Sequence, residues 1–295
     1  MKKLALCLPA FFAALLVYSQ PLADTVRLVE QKENIISAHT IVKIENIGRN
    51  INSDLPELRP TISADGKLLF FICENHPYNT KYGSIRNSQD IWYSEKDSNG
   101  QWTEAVHMDE PLNTYFFNAV FWISPDNNRI LIRNAFVDGY YAGNGVSMSY
   151  RTKWGGWSKP QALLIKNFEK YDRGKTNGAS MSQDGKVLLL YMTEVKGSFN
   201  NDLYISFLQP NGTWSEPKTL GKKICLKDYD EMTPYLAADG VTLYFSSNRP
   251  GGIGDNDIWM TKRLDDTWQK WSDPVNLGEP INTEDWDAFF TMDAG

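Results

Sequence analysis

Short apolar runs come in pairs along most of this chain, and a tight polar turn separates the two runs of each pair. The four turns are Asp65-Gly66, Asp126-Asn127, Asp184-Gly185 and Asp239-Gly240. Asp-Gly and Asp-Asn supply the positive φ that a tight hairpin needs, and apolar runs on both sides of such a turn are typical of paired strands. The pattern therefore predicts one β-hairpin at each turn.

A third and a fourth strand are predicted after each hairpin. The third strand begins with Asp and continues with apolar and aromatic residues at Asp90-Ile91-Trp92, Asp202-Leu203-Tyr204 and Asp257-Ile258-Trp259. In the second unit this signal has decayed to Gly145-Val146-Ser147-Met148. A fourth strand, such as the one at residues 274–278, closes the unit. Each unit is thus predicted to be a four-stranded antiparallel meander, which is one blade of a β-propeller.

A Trp follows the third strand of every unit and opens the same short phrase. The phrases are Trp102-Thr103-Glu104-Ala105, Trp157-Ser158-Lys159-Pro160, Trp214-Ser215-Glu216-Pro217 and Trp271-Ser272-Asp273-Pro274, at intervals of 55, 57 and 57 residues. Such a period is typical of propellers and solenoids. Burial of an indole contributes up to about 4–6 kcal/mol, so we interpret the four Trp residues as packing between blades rather than as ligand contacts.

The repeat predicts an all-β fold, a β-propeller of four-stranded antiparallel blades with four complete repeats and a partial fifth. Residues 45–54 resemble 275–284, so the chain is expected to begin with an outer strand. The last residues resemble an innermost strand and its hairpin turn. Because two such strands would leave unpaired edges, we expect a complete version to have five or more blades. The repeats span residues 55–114, 115–173, 174–230 and 231–287, with the partial repeat at 288–295.

The first residues are typical of a secretory signal peptide. Lys2 and Lys3 precede an apolar run at residues 4–17, and cleavage is expected after Ser19. This predicts a signal peptide at 1–19, an N-terminal extension at 20–40 and a propeller at 41–295, in a periplasmic or secreted protein. The apolar run is too short to span a bilayer comfortably, and no other stretch approaches the length of a span.

Charge and cysteine content narrow the classes of partner. Without the leader, 28 basic residues stand against 36 acidic ones, a formal charge of −8. This charge disfavours nucleic acid and anionic lipid. Cys73 and Cys225 fall in different units on different strands, so we expect two separate thiols rather than a disulfide.

Three phrases resemble the WD40-like repeat of TolB-type propellers, most closely the version fused to OmpA-like peptidoglycan-binding domains in bacterial envelopes. They are Ser63-Ala64-Asp65-Gly66-Lys67, residues 245–252 and Asp257-Ile258-Trp259. The resemblance covers nearly all of the chain after residue 41. It implies an extracytoplasmic propeller that binds another protein or an envelope component without chemistry of its own. This sequence departs from the family at Ala105, in its second unit, and in lacking a following OmpA-like domain.

The sequence offers no catalytic constellation. The motif Gly-x-Ser-x-Gly does not occur, and Asp and Gly are adjacent in the hairpin turns, unlike the spaced turn of sialidase-type propellers. His39, His76 and His107 have no metal-ligand spacing. We therefore expect no catalysis, no metal and no cofactor.

Ligand contacts are expected in the loops that join strands two and three and in those that join successive blades, because both classes converge on the channel mouth. Aromatic and hydrogen-bonding side chains there suit a peptide segment or an envelope glycan such as peptidoglycan. The alternative, that these aromatics pack on neighbouring turns, stays open. The predicted contact residues are Tyr78, Arg86, Tyr140, Tyr141, Asp230, Arg249 and Trp286.

Two further alternatives involve acidic residues. A carbohydrate-active hydrolase or lyase would use acids at the channel mouth such as Asp230, Glu231 and Asp285, with a pair about 5–9.5 Å apart in an open pocket. Residues 255–257 offer oxygen ligands for Ca²⁺. Asp257 belongs to the repeated Asp-Ile-Trp phrase, however, and capping of the turn before strand three is the favoured interpretation.

Overall fold

The structure is a computed structural model that describes residues 45–80, 88–114 and 117–294. Over these ranges it contains four antiparallel sheets of four strands and one short helix, α1 (Phe168–Tyr171). The sheets are arranged as a four-bladed β-propeller. The all-β class and the four-stranded antiparallel blades predicted from the hairpin repeat are confirmed.

Within each blade the strands follow one another in chain order, and each pairs antiparallel with the next. Blade 1 consists of β1 (Glu57–Ile62), β2 (Leu68–Glu74), β3 (Gln89–Glu95) and β4 (Val106–His107). Blade 2 consists of β5 (Val120–Ile123), β6 (Arg129–Val137), β7 (Tyr140–Tyr150) and β8 (Gln161–Ala162). Blade 3 consists of β9 (Gly178–Met181), β10 (Val187–Met192), β11 (Asp202–Phe207) and β12 (Lys218–Thr219). Blade 4 consists of β13 (Glu231–Leu236), β14 (Thr242–Ser247), β15 (Asp257–Lys262) and β16 (Val275–Asn276).

The turn between the first two strands of each blade has the predicted backbone. Gly66, Asn127, Gly185 and Gly240 have φ values of 67°, 57°, 71° and 66°. Asn is among the few residues with a side chain that tolerates this left-handed region, so Asp-Asn can replace Asp-Gly in blade 2. Because the same turn recurs at the same place, it sets the register of all four hairpins.

The repeated Trp residues pack each blade against the one before it. Trp157 lies in a buried cluster with side chains of blade 1, Trp214 in a cluster with blade 2, and Trp271 in a cluster with blade 3. In blade 1, Trp102 is only partly buried, and its cluster includes Ile51 from the segment that precedes β1. Residues before β1 therefore supply to blade 1 the apolar surface that a preceding blade supplies to the others.

Residues 288–294 run between the innermost strands of blades 4 and 1. The hydroxyl of Tyr235 on β13 donates to the carbonyl of Met292 over 2.8 Å. The amide of Ala294 donates to the carbonyl of Ala64, just after β1, over 2.9 Å. This segment occupies the place expected for an innermost strand, although it has no regular strand pairing.

Several predictions concern residues that lie outside the described ranges. The predicted signal peptide at 1–19, the N-terminal extension at 20–40 and Arg86 belong to this group. Within the described part of the chain, no helix has the length and apolar character needed to cross a membrane. Cys73 and Cys225 are both free thiols, as expected.

Candidate functional site

The innermost strands have an unusual backbone on the channel side. Arg59 on β1 and Thr233 on β13 have φ values of 52° and 46°, and each lies at a register shift against the second strand of its blade. Phe289 has a φ of 62° at the corresponding place in the last segment. A bulge turns a side chain away from the regular alternation of the strand, and a left-handed residue other than Gly costs on the order of 1–3 kcal/mol. The bulges therefore set the direction of these side chains. The packing of the surrounding sheets offsets the backbone strain.

A cavity of about 60 Å³ lies at the centre of the propeller. All four innermost strands and the segment 288–294 contribute to its wall. Most of the wall is apolar or aromatic, with one charged side chain, Arg59. The wall includes Arg59, Phe121, Trp122, Ser180, Gln183, Tyr191 and Phe289.

Buried polar atoms without a hydrogen-bond partner are concentrated in this wall. In the described part of the chain they include Trp122 Nε1, Ser180 Oγ, Gln183 Oε1 and the Tyr191 hydroxyl. Tyr191 is 2% exposed and Ser180 is 7% exposed. Leaving a buried polar group unsatisfied costs about 1–3 kcal/mol, so a water or a ligand group that reached these four atoms from the cavity would stabilise the wall.

The Arg59 guanidinium belongs to a side chain that lines this cavity, and Arg133, which does not line it, is near enough to Arg59 to interact electrostatically. The Arg59 guanidinium is 4.2 Å from the ring centre of Phe289 and 5.8 Å from that of Tyr191. Burial, followed by the like charge of Arg59, lowers the pKa of Arg133 on β6. Burial also raises the pKa of Asp172, whose carboxylate accepts hydrogen bonds of 3.0 and 2.9 Å from the side-chain amide of Asn177. Arg59 is thus the charged side chain on the cavity wall, while the opposite charges of Arg133 and Asp172 act on each other.

Three of the predicted contact residues lie on the loop face. Tyr78 is 76% exposed beside His76, with ring centres 5.2 Å apart. Trp286 is 45% exposed and lies 5.5 Å from the ring of Phe289, which places it next to the channel wall. Asp230 accepts hydrogen bonds from the backbone and side-chain amides of Asn201, at 2.7 and 3.0 Å, and burial raises its pKa. The Asp230 carboxylate therefore joins two loops.

Tyr140 and Tyr141 begin β7, at the tip of the β6–β7 hairpin. Tyr140 is 74% exposed, and its ring centre is 5.7 Å from the ammonium of Lys159, which precedes the outermost strand β8. Tyr141 packs edge-on against Phe136, with ring centres 6.4 Å apart. The register of this hairpin shifts on both sides of Ala135, so its tip bends toward the outer edge of blade 2. The sequence did not indicate this bend.

Arg249 is buried between blades 3 and 4. It is 6% exposed, and its guanidinium lies 3.2 Å from the carboxylate of Glu231. It also donates to the carbonyls of Ile224 and Lys223. Burial raises the pKa of Glu231 to about 8, while the charge of Arg249 opposes this shift. The structure therefore gives Arg249 a packing role rather than an exposed position, and it encloses Glu231, one of the acids considered for catalysis.

Asp202, Cys225 and Glu231 are the described residues whose ligand atoms come close enough for a metal ion, within 4.8 Å of one another. The Arg249 guanidinium lies against Glu231 and already balances its charge. Asp257 accepts hydrogen bonds from the amides of Ile253 and Gly254 at 2.7 and 3.4 Å. This is the geometry of a turn-capping carboxylate, as favoured over a Ca²⁺ ligand.

The channel residues were not among those singled out from the sequence. One signal was present, since Pro60 and Pro234 occur at the same place in the innermost strands of two repeats. Pro within a strand is confined to edges and bulges, and both of these Pro residues follow a left-handed residue. Arg133, by contrast, is on a second strand and carries no sequence signal.

Replacing Gly178 by Ala is expected to destabilise the protein and displace Tyr191 from the channel wall. A Cβ at Gly178 would lie 2.4–2.6 Å from atoms of the buried Tyr191 ring. Such overpacking typically costs about 1–3 kcal/mol. Chemical denaturation followed by circular dichroism measures the loss, with Gly156→Ala as the matched control because its Cβ would meet its nearest atom at 3.9 Å. Equal effects of the two substitutions would contradict the expected clash.

The sequence matches no protein-family model and no curated protein. The structure is similar to a putative TolB from Agrobacterium tumefaciens, with 13% identity, a TM-score of 0.40, and coverage of 75% of this chain and 80% of that one. It is also similar to the periplasmic gluconolactonase PpgL of Pseudomonas aeruginosa, with 12% identity, a TM-score of 0.41, and coverage of 73% and 71%. A third similar structure, described as a glycoside hydrolase, has 11% identity, a TM-score of 0.46, and coverage of 76% and 77%.

Two prolyl peptidase structures are also similar, but the chain spans only 29% and 30% of their length. At these identities no activity of the similar proteins transfers to this chain. The assignment as a propeller rests on the four sheets themselves.

Proposed function

We propose that this protein is an extracytoplasmic β-propeller that binds an envelope protein or glycan through its loop face and channel mouth, without catalysis. The observation that carries the proposal is the central cavity, where unsatisfied buried polar groups and an unpaired guanidinium line an aromatic wall. Buried polar groups are normally hydrogen-bonded, so their concentration in one cavity favours a binding site.

The positions of the acids support binding over catalysis. Glu231 is fully buried against Arg249, and Asp230 is held by Asn201 between two loops. An acid pair that hydrolyses glycans needs one open pocket that both carboxyl groups face. These contacts favour structural roles for the two acids. The hydrolase or lyase remains the second candidate.

Site-specific photo-crosslinking tests the binding role. The crosslinking residue is introduced at Tyr78 or Trp286 on the loop face, and at Tyr150 on the opposite face as the matched exposed control. In cells that export the protein, we expect a discrete adduct with an envelope protein or with peptidoglycan fragments from the first two positions only. Equal adducts from all three positions, or none from the loop face, would contradict the proposal.

A second measurement addresses the enzyme alternative. Purified protein is incubated with envelope glycans, and newly formed reducing ends are measured. We expect no release above background for the natural sequence and none for Asp230→Asn. Release that depends on Asp230 would replace the binding module with the carbohydrate-active enzyme.

A further inference from the structure

We propose that the central channel binds a carboxylate group through Arg59, which lines it, with the nearby positive charge of Arg133 adding to the attraction. This inference deepens the proposed binding function and rests on it. The ligand group that enters the channel is a carboxylate carried by a short apolar carbon chain.

The positive charge of the guanidinium groups favours an anionic ligand. In the described part of the chain, neither guanidinium has a hydrogen bond or salt bridge, and the Arg59 guanidinium lies over the rings of Phe121, Tyr191 and Phe289. The nearby Asp172 is hydrogen-bonded to Asn177 and offsets one of the two positive charges. The chain as a whole has a formal charge of −6, so a positively charged channel runs against the overall balance. Guanidinium groups bind carboxylates through charge-assisted hydrogen bonds.

The cavity wall also carries hydrogen-bond donors that lack an acceptor. Trp122 Nε1 can only donate, and the hydroxyls of Ser180 and Tyr191 can both donate. A carboxylate is an acceptor with several lone pairs, so it can satisfy these donors and the guanidinium groups together. A cation would leave the indole N–H unsatisfied and would be repelled by Arg59. Trp122, Ser180 and Tyr191 therefore favour an acceptor such as a carboxylate, whereas Gln183 Oε1 is itself an acceptor and needs a donor.

The volume of the cavity limits the kind of group that can carry the carboxylate. The cavity measures about 60 Å³, whereas sites for whole small molecules are typically about 300–1,000 Å³. Because the cavity is half-open, a larger ligand can extend outside it, but the group that enters must be small, such as a carboxylate with two or three methylene groups. Phe121 and Phe289 supply apolar surface for the methylenes. Two sources share this chemistry, a free short-chain carboxylate and the glutamate side chain of a partner peptide.

Isothermal titration calorimetry with butyrate as the probe tests the inference. Butyramide, which has nearly the same shape without the charge, is the control ligand. We expect butyrate to bind and butyramide to bind at least roughly 10-fold more weakly, because charged hydrogen bonds are replaced by neutral ones. Arg59→Gln should weaken butyrate binding by a similar factor, and Arg133→Gln should weaken it less, because Arg133 does not line the cavity. Arg151→Gln should not, since that guanidinium lies over Trp157 and donates to the carbonyl of Gly155 on the outer side of blade 2.

Circular dichroism and thermal unfolding establish that each variant is folded, and Arg59→Lys provides a second variant that keeps the positive charge. Partial recovery with Lys is expected, because a point charge attracts a carboxylate but lacks the planar fork of Arg. Equal binding of butyrate and butyramide, or unchanged butyrate binding in both Arg→Gln variants, would overturn the inference.

Two peptides distinguish the sources of the carboxylate. Acetyl-Gly-Glu-Gly-amide is compared with its Gln counterpart, and glucuronate is included as an acidic sugar. Tighter binding of the Glu peptide than of butyrate indicates a partner protein, and binding of butyrate alone indicates a free carboxylate. Binding of glucuronate but not butyrate would refute the size argument. If loop-face crosslinks persist in Arg59→Gln while no carboxylate binds, the binding function stands and this inference fails.

Discussion

Replacing Trp271 by Ala is expected to lower the free energy of unfolding by about 3–5 kcal/mol. The side chain is 2% exposed and packs among residues of blades 3 and 4, and its indole N–H donates to the carbonyl of Trp268 over 3.1 Å. Removing it leaves a cavity between two sheets that can collapse only partly. Guanidinium denaturation followed by far-ultraviolet circular dichroism measures the loss without relying on the altered fluorescence.

Trp102→Ala is the matched control for this prediction. Trp102 occupies the same place in the repeat, but it is only partly buried and packs against the segment around Ile51 rather than against a full blade. We expect its loss of stability to be clearly smaller than that of Trp271→Ala. A loss of the same size at both positions would show that the repeated indole does not act through packing between blades.

Above about pH 8, where Glu231 is ionised, Arg249→Met is expected to destabilise the protein by about 3–5 kcal/mol, because it leaves the buried carboxylate of Glu231 without its partner. The double variant Arg249→Met with Glu231→Gln should recover most of this loss, since no buried charge then remains. Lys223→Met is the matched control. Lys223 pairs with Asp273 at 2.7 Å, but both side chains are substantially exposed, and such pairs contribute roughly 0–1 kcal/mol.

The loss caused by Arg249→Met should depend on pH. In the folded protein the pKa of Glu231 is raised above 4.5 to about 8, so the folded state binds a proton that the unfolded chain releases in this window. Stability therefore falls as the pH rises from about 4.5 toward 8. Removing Arg249 raises this pKa further, so the variant's deficit should be larger at alkaline than at acidic pH. A deficit that does not change with pH would contradict the ion pair as its cause.

The blades were predictable because their signals are local. A turn such as Asp65-Gly66 specifies its own backbone within a few residues, and the indole of Trp157 follows its strand at a fixed distance along the sequence. Each repeat independently supports the same interpretation. Four imperfect copies therefore identified the architecture even where one signal had decayed, as at Gly145.

The candidate site was much less predictable, because it depends on contacts between distant parts of the chain. Arg249 follows a strand in a polar phrase that is typical of an exposed loop, yet it is buried by carbonyls and a carboxylate from the preceding blade junction. The position of Tyr140 depends on a shift of register in its hairpin. Arg59 and Tyr191 belong to different repeats and different strands, and only the ring arrangement of the blades brings both to one cavity.

The hydrogen bond between Ala294 and Ala64 has a consequence for the order of folding. Three of the four junctions between blades join neighbours along the chain, whereas the fourth depends on residues from opposite ends of the propeller. Contacts between such distant residues carry a large entropic cost of loop closure and form late in folding. A nascent chain can thus assemble an open arc of blades. The circle of blades and the channel within it form only when residues 288–294 pack between blades 4 and 1.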